Sequence, residues 1–156
     1  MDKSRRDALK AGGSIGLLSV LVGLGLVNPG VALGSEWRKG VFGTKNIADA
    51  LKELGVAQPE MSDAIVITAP DIAENGAMVP IEAVSNIPNT QTIAYLVENN
   101  PTTVAAVFDI LPGTMPEVRT RVKMAKTSNV MILVKADGKV YANQKEVKVT
   151  RGGCGG

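Results

Sequence analysis

Hydrophobic positions recur along this chain with two periods, helical before residue 60 and strand-like after it. In Asn46-Ile47-Ala48-Asp49-Ala50-Leu51-Lys52-Glu53-Leu54-Gly55 the apolar residues Ile47, Ala50, Leu51 and Leu54 fall on one helical face. Asn46 is placed to cap the start, Asp49 sits in the first turn and Gly55 follows the end. The spacing predicts one short amphipathic helix packing over an open edge or end of the domain.

From Ala64 onward the pattern shortens to β-rich runs at 64–69, 79–84, 92–98, 104–111, 117–125, 129–135 and 139–150. In the fifth run Val118, Thr120, Val122 and Met124 alternate with Arg119, Arg121 and Lys123, as a half-buried antiparallel strand with a solvated basic face requires. Asp137-Gly138 supplies the two positive-φ residues of a tight hairpin. Pro80 has no N–H to give a ladder and belongs at an edge or bulge. Glu74-Asn75-Gly76-Ala77 reads as a hairpin turn. Seven runs separated by Asn, Pro and Gly predict an all-β fold, an immunoglobulin-like antiparallel β-sandwich with a short N-terminal helix. The five aromatic residues, Trp37, Phe42, Tyr95, Phe108 and Tyr141, leave the core to Val, Ile, Leu and Met.

Both ends of the chain depart from this pattern. Ser4-Arg5-Arg6-Asp7-Ala8-Leu9-Lys10 precedes an apolar, glycine-diluted run from Ile15 to Val27 and then small residues, which reads as a cleavable twin-arginine export signal recognised through Arg5 and Arg6. The run is shorter than the ~20 apolar residues needed to span a bilayer, so no stable membrane anchor is expected after cleavage. The signal is assigned to residues 1–32, with cleavage after Gly34 equally compatible. The β-sandwich domain then spans 33–151 and the terminal segment 152–156. The formal charge of +2 leaves with the signal, because Lys3, Arg5, Arg6 and Lys10 face only Asp2 and Asp7. What remains is neutral, and nothing favours a nucleic-acid partner.

Composition then narrows the chemistry. There is no histidine, which removes Ser-His and Cys-His dyads, histidine metal sites and histidine-ligated haem. Autonomous catalysis is not expected, nor is a cofactor. The single cysteine, Cys154, stands in Gly152-Gly153-Cys154-Gly155-Gly156 at the chain end. In an oxidising compartment a structural cysteine is normally paired and a single one cannot form an internal disulfide, so it reads as a reactive thiol, an intermolecular bridge or an accident of sequence. Glycines without Cβ give the segment no reason to pack, and it is expected to be a thin, flexible swinging arm reaching roughly 14 Å beyond the last strand. Lys145, Lys148 and Arg151 lie close to it in sequence and can attract an anionic sulfur species, an effect that solvent screens.

The twin-arginine signal, the β-rich domain with Ala73-Glu74-Asn75-Gly76-Ala77-Met78-Val79-Pro80 in its first half, and the terminal Gly-Gly-Cys-Gly-Gly together resemble the SoxY family of bacterial thiosulfate oxidation. The resemblance spans essentially the whole chain, and Ala8 is the departure from the export pattern. It implies a periplasmic, non-catalytic sulfur carrier paired with a second β-sandwich subunit, SoxZ, which travels out with it. By the same resemblance Cys154 is the covalent attachment point and Gly152, Gly153, Gly155 and Gly156 form its arm. The implied partners are a c-type cytochrome that joins thiosulfate to the thiol, a dimanganese hydrolase that releases sulfate, and a molybdenum sulfur dehydrogenase.

Two other readings of the same residues stand beside it. Gly155-Gly156 superficially fits a ubiquitin-like sulfur-transfer protein activated as a C-terminal thiocarboxylate, although adenylation needs ATP and leaves Cys154 idle. A structural β-sandwich protein bridged through its free cysteine is the other. Prenylation fails, because only two residues follow Cys154.

Overall fold

The computed structural model describes residues 40–151. A 3₁₀ turn at Val41–Gly43 leads into helix α1, Ile47–Glu53. Nine strands follow: β1 Glu60–Met61, β2 Ile65–Thr68, β3 Ile72–Ala73, β4 Val79–Ser85, β5 Thr90–Val97, β6 Val104–Asp109, β7 Glu117–Val122, β8 Ser128–Ala136 and β9 Lys139–Val149. The larger sheet has the order β1-β9-β8-β5-β6, with β3 also paired to β9, and the smaller is β2-β4-β7. Every pairing is antiparallel except those of β1 and β3 with β9. Two sheets facing each other with one short helix are the sandwich that the alternating runs predict.

The core lies between the sheets. Ile93, Tyr95 and Val97 of β5, Val130, Ile132 and Val134 of β8 and Val147 of β9 meet Ile65, Val79, Ile81, Ala83, Val122 and Met124. The intervening residues of the same strands are also apolar. Ala94, Leu96, Leu133 and Ala142 turn to the outer face of the larger sheet, where α1 covers them through Ala50 with Ile47, Leu51 and Leu54 alongside. This is why Ile93 to Val97 form an unbroken buried run, the signature of a strand covered on both faces. The helix therefore lies on a sheet face and not over an edge or end of the domain, because that outer face is too apolar to be left in water.

Local signals behave as their chemistry dictates. The Asn46 side chain accepts the Asp49 N–H at 2.8 Å and caps α1. Gly55 has φ +72° beyond its C-terminus. Asp137 and Gly138 take φ values of 49° and 75° in the hairpin between β8 and β9. The basic side of β7 is exposed, and Arg119 there bridges Glu82 at 3.0 Å and Glu117 at 2.9 Å. Pro80 belongs to a central strand, yet β2 pairs with β4 only as far as Thr68 opposite Glu82. At Pro80 the strand has one neighbour, so the missing N–H breaks no ladder on that open side.

Two elements and one connection differ from the sequence reading. Strands β1 and β3 are two residues each, too short to carry a period, and exist because both pair with β9. The turn Glu74–Ala77 is not a hairpin. It joins β3 on the larger sheet to β4 on the smaller, so the chain changes sheets there. The export signal and the terminal segment lie outside the described residues; among those described, no helix is long and apolar enough to cross a membrane.

Tyr95 ties the sheets together. Its hydroxyl donates to the Val118 carbonyl at 2.7 Å, and its ring meets Phe108 edge-on at 5.8 Å. Burial pushes the phenol up to about 12, opposed by the Ala83 backbone and reinforced by the Glu82 charge. An unfolded tyrosine ionises near 10, so between these values the unfolded chain has lost a proton that the folded one keeps. Stability is then full below about pH 10, and about 2–3 kcal/mol of it is lost as pH rises through about 12. Replacing Tyr95→Phe should cost about 1 kcal/mol at neutral pH by removing the hydrogen bond to the Val118 carbonyl. In urea unfolding the deficit should shrink near pH 11; an unchanged deficit would mean that the phenol is not perturbed.

Candidate functional site

The last strand carries the terminal segment, so the candidate site is built from the end of β9. Along β9 the side chains of Tyr141, Asn143, Lys145, Val147 and Val149 face the smaller sheet, alternating with outward residues. Val147 is fully buried and Val149 packs against the same core, which fixes the strand's end in depth. Asn143 and Lys145 are polar on an inward face, and each has a reason. The Asn143 amide donates to the Ile65 carbonyl and the Lys145 ammonium to the Ala69 carbonyl, both at 2.7 Å. These bonds join β9 to β2 and to the residue that follows it, across the side of the sandwich.

Beyond Lys145 the strand is held nearly residue by residue. Lys148 N–H donates to the Asp71 carbonyl at 3.0 Å, and Val149 N–H to the Thr127 hydroxyl at 3.0 Å. Thr150 N–H donates to the Ala73 carbonyl and its hydroxyl to the Glu74 carbonyl, each at 3.1 Å. The Arg151 carbonyl accepts the Gly76 N–H at 2.8 Å, and the Gly76 carbonyl accepts the Met124 N–H at 2.7 Å. Gly76 thus links two other stretches of chain through its own peptide groups. The Asn75 side chain shapes this crossing, accepting the Ala77 N–H at 2.8 Å in a side-chain turn. Asn100 supports the Met124 side by bonding the Lys123 carbonyl at 2.7 Å and the Ala125 N–H at 2.9 Å.

The carrier residues named from the sequence, Cys154 with Gly152, Gly153, Gly155 and Gly156, lie outside the described residues, as do Arg5 and Arg6. The structure gives the point from which residues 152–156 depart. Of the three cations near it in sequence, Lys145 is occupied, pairing with Asp71 at 3.0 Å as well as with the Ala69 carbonyl. Lys148 and Arg151 are exposed and have no ion pair among the described residues. Sequence reasoning missed the anchoring roles of Ala73, Gly76, Met124 and Thr127 because they act through backbone groups or a hydroxyl on distant segments. The turn signal at Asn75-Gly76 was legible, but its partner Arg151 was not.

An immunoglobulin-like sandwich whose last strand is anchored through Arg151 and runs on into a cysteine-bearing terminus is a fixed scaffold for a terminal thiol. A family model described as sulfur oxidation protein SoxY matches residues 51–154, ending on Cys154. The chain belongs to the SoxY family. The solved sulfur carrier protein SoxY from Chlorobium limicola f thiosulfatophilum is 43% identical, with a TM-score of 0.58 over 64% of this chain and 91% of that one. A Jonesia denitrificans lytic polysaccharide monooxygenase matches at 13% identity and TM-score 0.35, covering 60% of this chain and 58% of its own. The human F-spondin reeler domain matches at 10% and 0.37, covering 58% and 93%. Neither of the last two bears on function. No curated protein matches.

Replacing Thr127→Val removes the acceptor of the Val149 N–H. The expected result is faster hydrogen exchange at the Val149 amide and a loss of up to about 1 kcal/mol in urea unfolding. An unchanged Val149 exchange rate would show that Thr127 does not anchor the strand's end.

Proposed function

We propose that this chain is a covalent sulfur carrier of thiosulfate oxidation, with Cys154 as the attachment point. The observation that carries the reading is the family match, which ends on the chain's single cysteine three residues beyond the anchored Arg151. The 43% identical Chlorobium protein is a sulfur carrier, which supports the same role here. Membership of this family favours a cysteine carrier over a C-terminal thiocarboxylate or a merely structural disulfide.

In this reading the protein is exported to the periplasm through Arg5 and Arg6, is cleaved near Ala32, and works as a heterodimer with a SoxZ-like subunit. Its own part in the chemistry is to hold and present. The Cys154 thiol forms an S–S bond to the sulfane sulfur of thiosulfate, releasing one proton and two electrons, which a c-type cytochrome accepts. Water attack in a partner hydrolase then breaks the bond between that sulfur and the sulfonate group. Sulfate and two protons leave, and a persulfide anion stays on Cys154 for a sulfur dehydrogenase to oxidise. No step requires a metal or cofactor from this chain.

The domain contributes by fixing where the reach begins. With Arg151 anchored, a glycine segment delivers the thiol into partner sites at high effective concentration. Glycine matters there because a backbone without side chains fits a narrow channel.

Cys154→Ser tests the attachment. Incubated with thiosulfate and the loading cytochrome, the native protein should gain a reductant-labile adduct by intact mass while the variant gains none and keeps its urea midpoint. Retained loading in the variant would end the carrier reading. Replacing Gly152 and Gly153 by Val should leave the chemical reactivity of Cys154 toward a small alkylating reagent unchanged and slow its loading by the cytochrome; equal loading rates would show that a slim segment is not needed.

A further inference from the structure

Asn75 and Gly76 form an Asn-Gly dipeptide inside the crossing that anchors the end of β9. This pair is the one most open to intramolecular deamidation, because a residue without Cβ least hinders its own backbone nitrogen as it approaches the preceding side-chain amide. Asn75 is exposed to water, while Gly76 is buried. One contact opposes the reaction. The Gly76 N–H, whose nitrogen must attack, donates to the Arg151 carbonyl at 2.8 Å. The amide that must be attacked accepts the Ala77 N–H on its Oδ1 at 2.8 Å, which polarises that carbonyl and leaves the Arg151 contact as the restraint.

We propose that Asn75 is a deamidation site kept latent by the contact between Gly76 and Arg151, so that its conversion is gated by opening at the root of the terminal segment. When that contact opens, the Gly76 nitrogen bonds to Asn75 Cγ, the Cγ–Nδ2 bond breaks, and ammonia leaves with the amide proton of Gly76. Solvent water opens the resulting succinimide at either carbonyl and leaves an aspartate or an isoaspartate at the position. No electrons change hands. The succinimide nitrogen has no hydrogen, so Gly76 no longer donates to Arg151 while the ring stands. An isoaspartyl link adds a carbon to the main chain and displaces Gly76 from both Arg151 and Met124. Conversion to isoaspartate therefore undoes the anchor that suppressed it, and each isoaspartyl molecule should stay open, whereas the aspartate product regains the Gly76 N–H and the contact with Arg151. This inference is independent of the sulfur chemistry proposed for Cys154.

The test follows deamidation in the full-length protein at mildly alkaline pH and physiological temperature. Cleavage after glutamate releases residues 75–82, whose mass reports amide-to-acid conversion and whose elution separates the isoaspartyl form. A synthetic peptide of residues 73–80 gives the unprotected rate. Native protein should convert roughly tenfold or more slowly than the peptide, since the hydrogen bond that holds the buried Gly76 N–H must open first. A chain ending at Thr150 lacks the Arg151 acceptor and should convert faster than the full-length protein. Hydrogen exchange of the Gly76 amide in the full-length protein supplies a readout that does not depend on the shortened chain folding, and it should be protected. Conversion of native protein at the peptide's rate, an unprotected Gly76 amide, or a folded shortened chain that converts no faster would overturn the proposal.

Discussion

Strand β9 has β8 on one side and would otherwise present eleven residues of open edge on the other, a template for unwanted pairing. Residues 60–77 deal with that edge. β1 pairs beside Tyr141 and Ala142, β3 beside Lys148 and Val149, and between them the chain leaves for the smaller sheet to form β2. While it is away, Asn143 and Lys145 reach across to the carbonyls of Ile65 and Ala69. The same excursion shields the edge and closes the side of the sandwich. Its return through Glu74–Ala77 brings Gly76 against Arg151, so the position of Arg151 follows from how the edge was covered.

The remaining architecture gives this anchor something firm to hold. β5 and β8 are buried on both faces, by the smaller sheet within and by α1 outside. Tyr95 adds a hydrogen bond from one sheet to the backbone of the other. Charge contributes less. Lys145 is paired with Asp71, and Lys148 and Arg151 stand in solvent, where salt screens a charge within about 8–10 Å. In the proposed account the reactivity of Cys154 therefore comes from thiol chemistry and from partner proteins, with the domain setting position.

Much of the sandwich was legible because its signals are local. Alternation in 117–125, the Asp137-Gly138 turn and the Asn46 cap each depend on neighbours in sequence, and all seven expected strands are present with ends shifted by a few residues. What escaped is non-local. Two-residue strands have no period to detect, and the outer-face position of α1 follows from apolar residues on three separate strands. Gly76 was visible as a turn residue, yet its partner lies 75 positions later and is engaged only through a carbonyl. The candidate site was legible in the opposite way, since Cys154 and its glycines are conspicuous in sequence and lie outside the described residues.

The central claim is that an exported form of this chain carries sulfur on Cys154. Intact-mass spectrometry of protein recovered from the periplasm, before and after a thiol reductant and with mapping of the last tryptic fragment, addresses it directly. The account predicts a chain shortened near Ala32 that bears a reducible thiosulfonate, persulfide or polysulfide adduct on Cys154. Sulfur on the Gly156 carboxylate, or a thiol that neither carries sulfur nor accepts it from thiosulfate and the loading cytochrome, would contradict it.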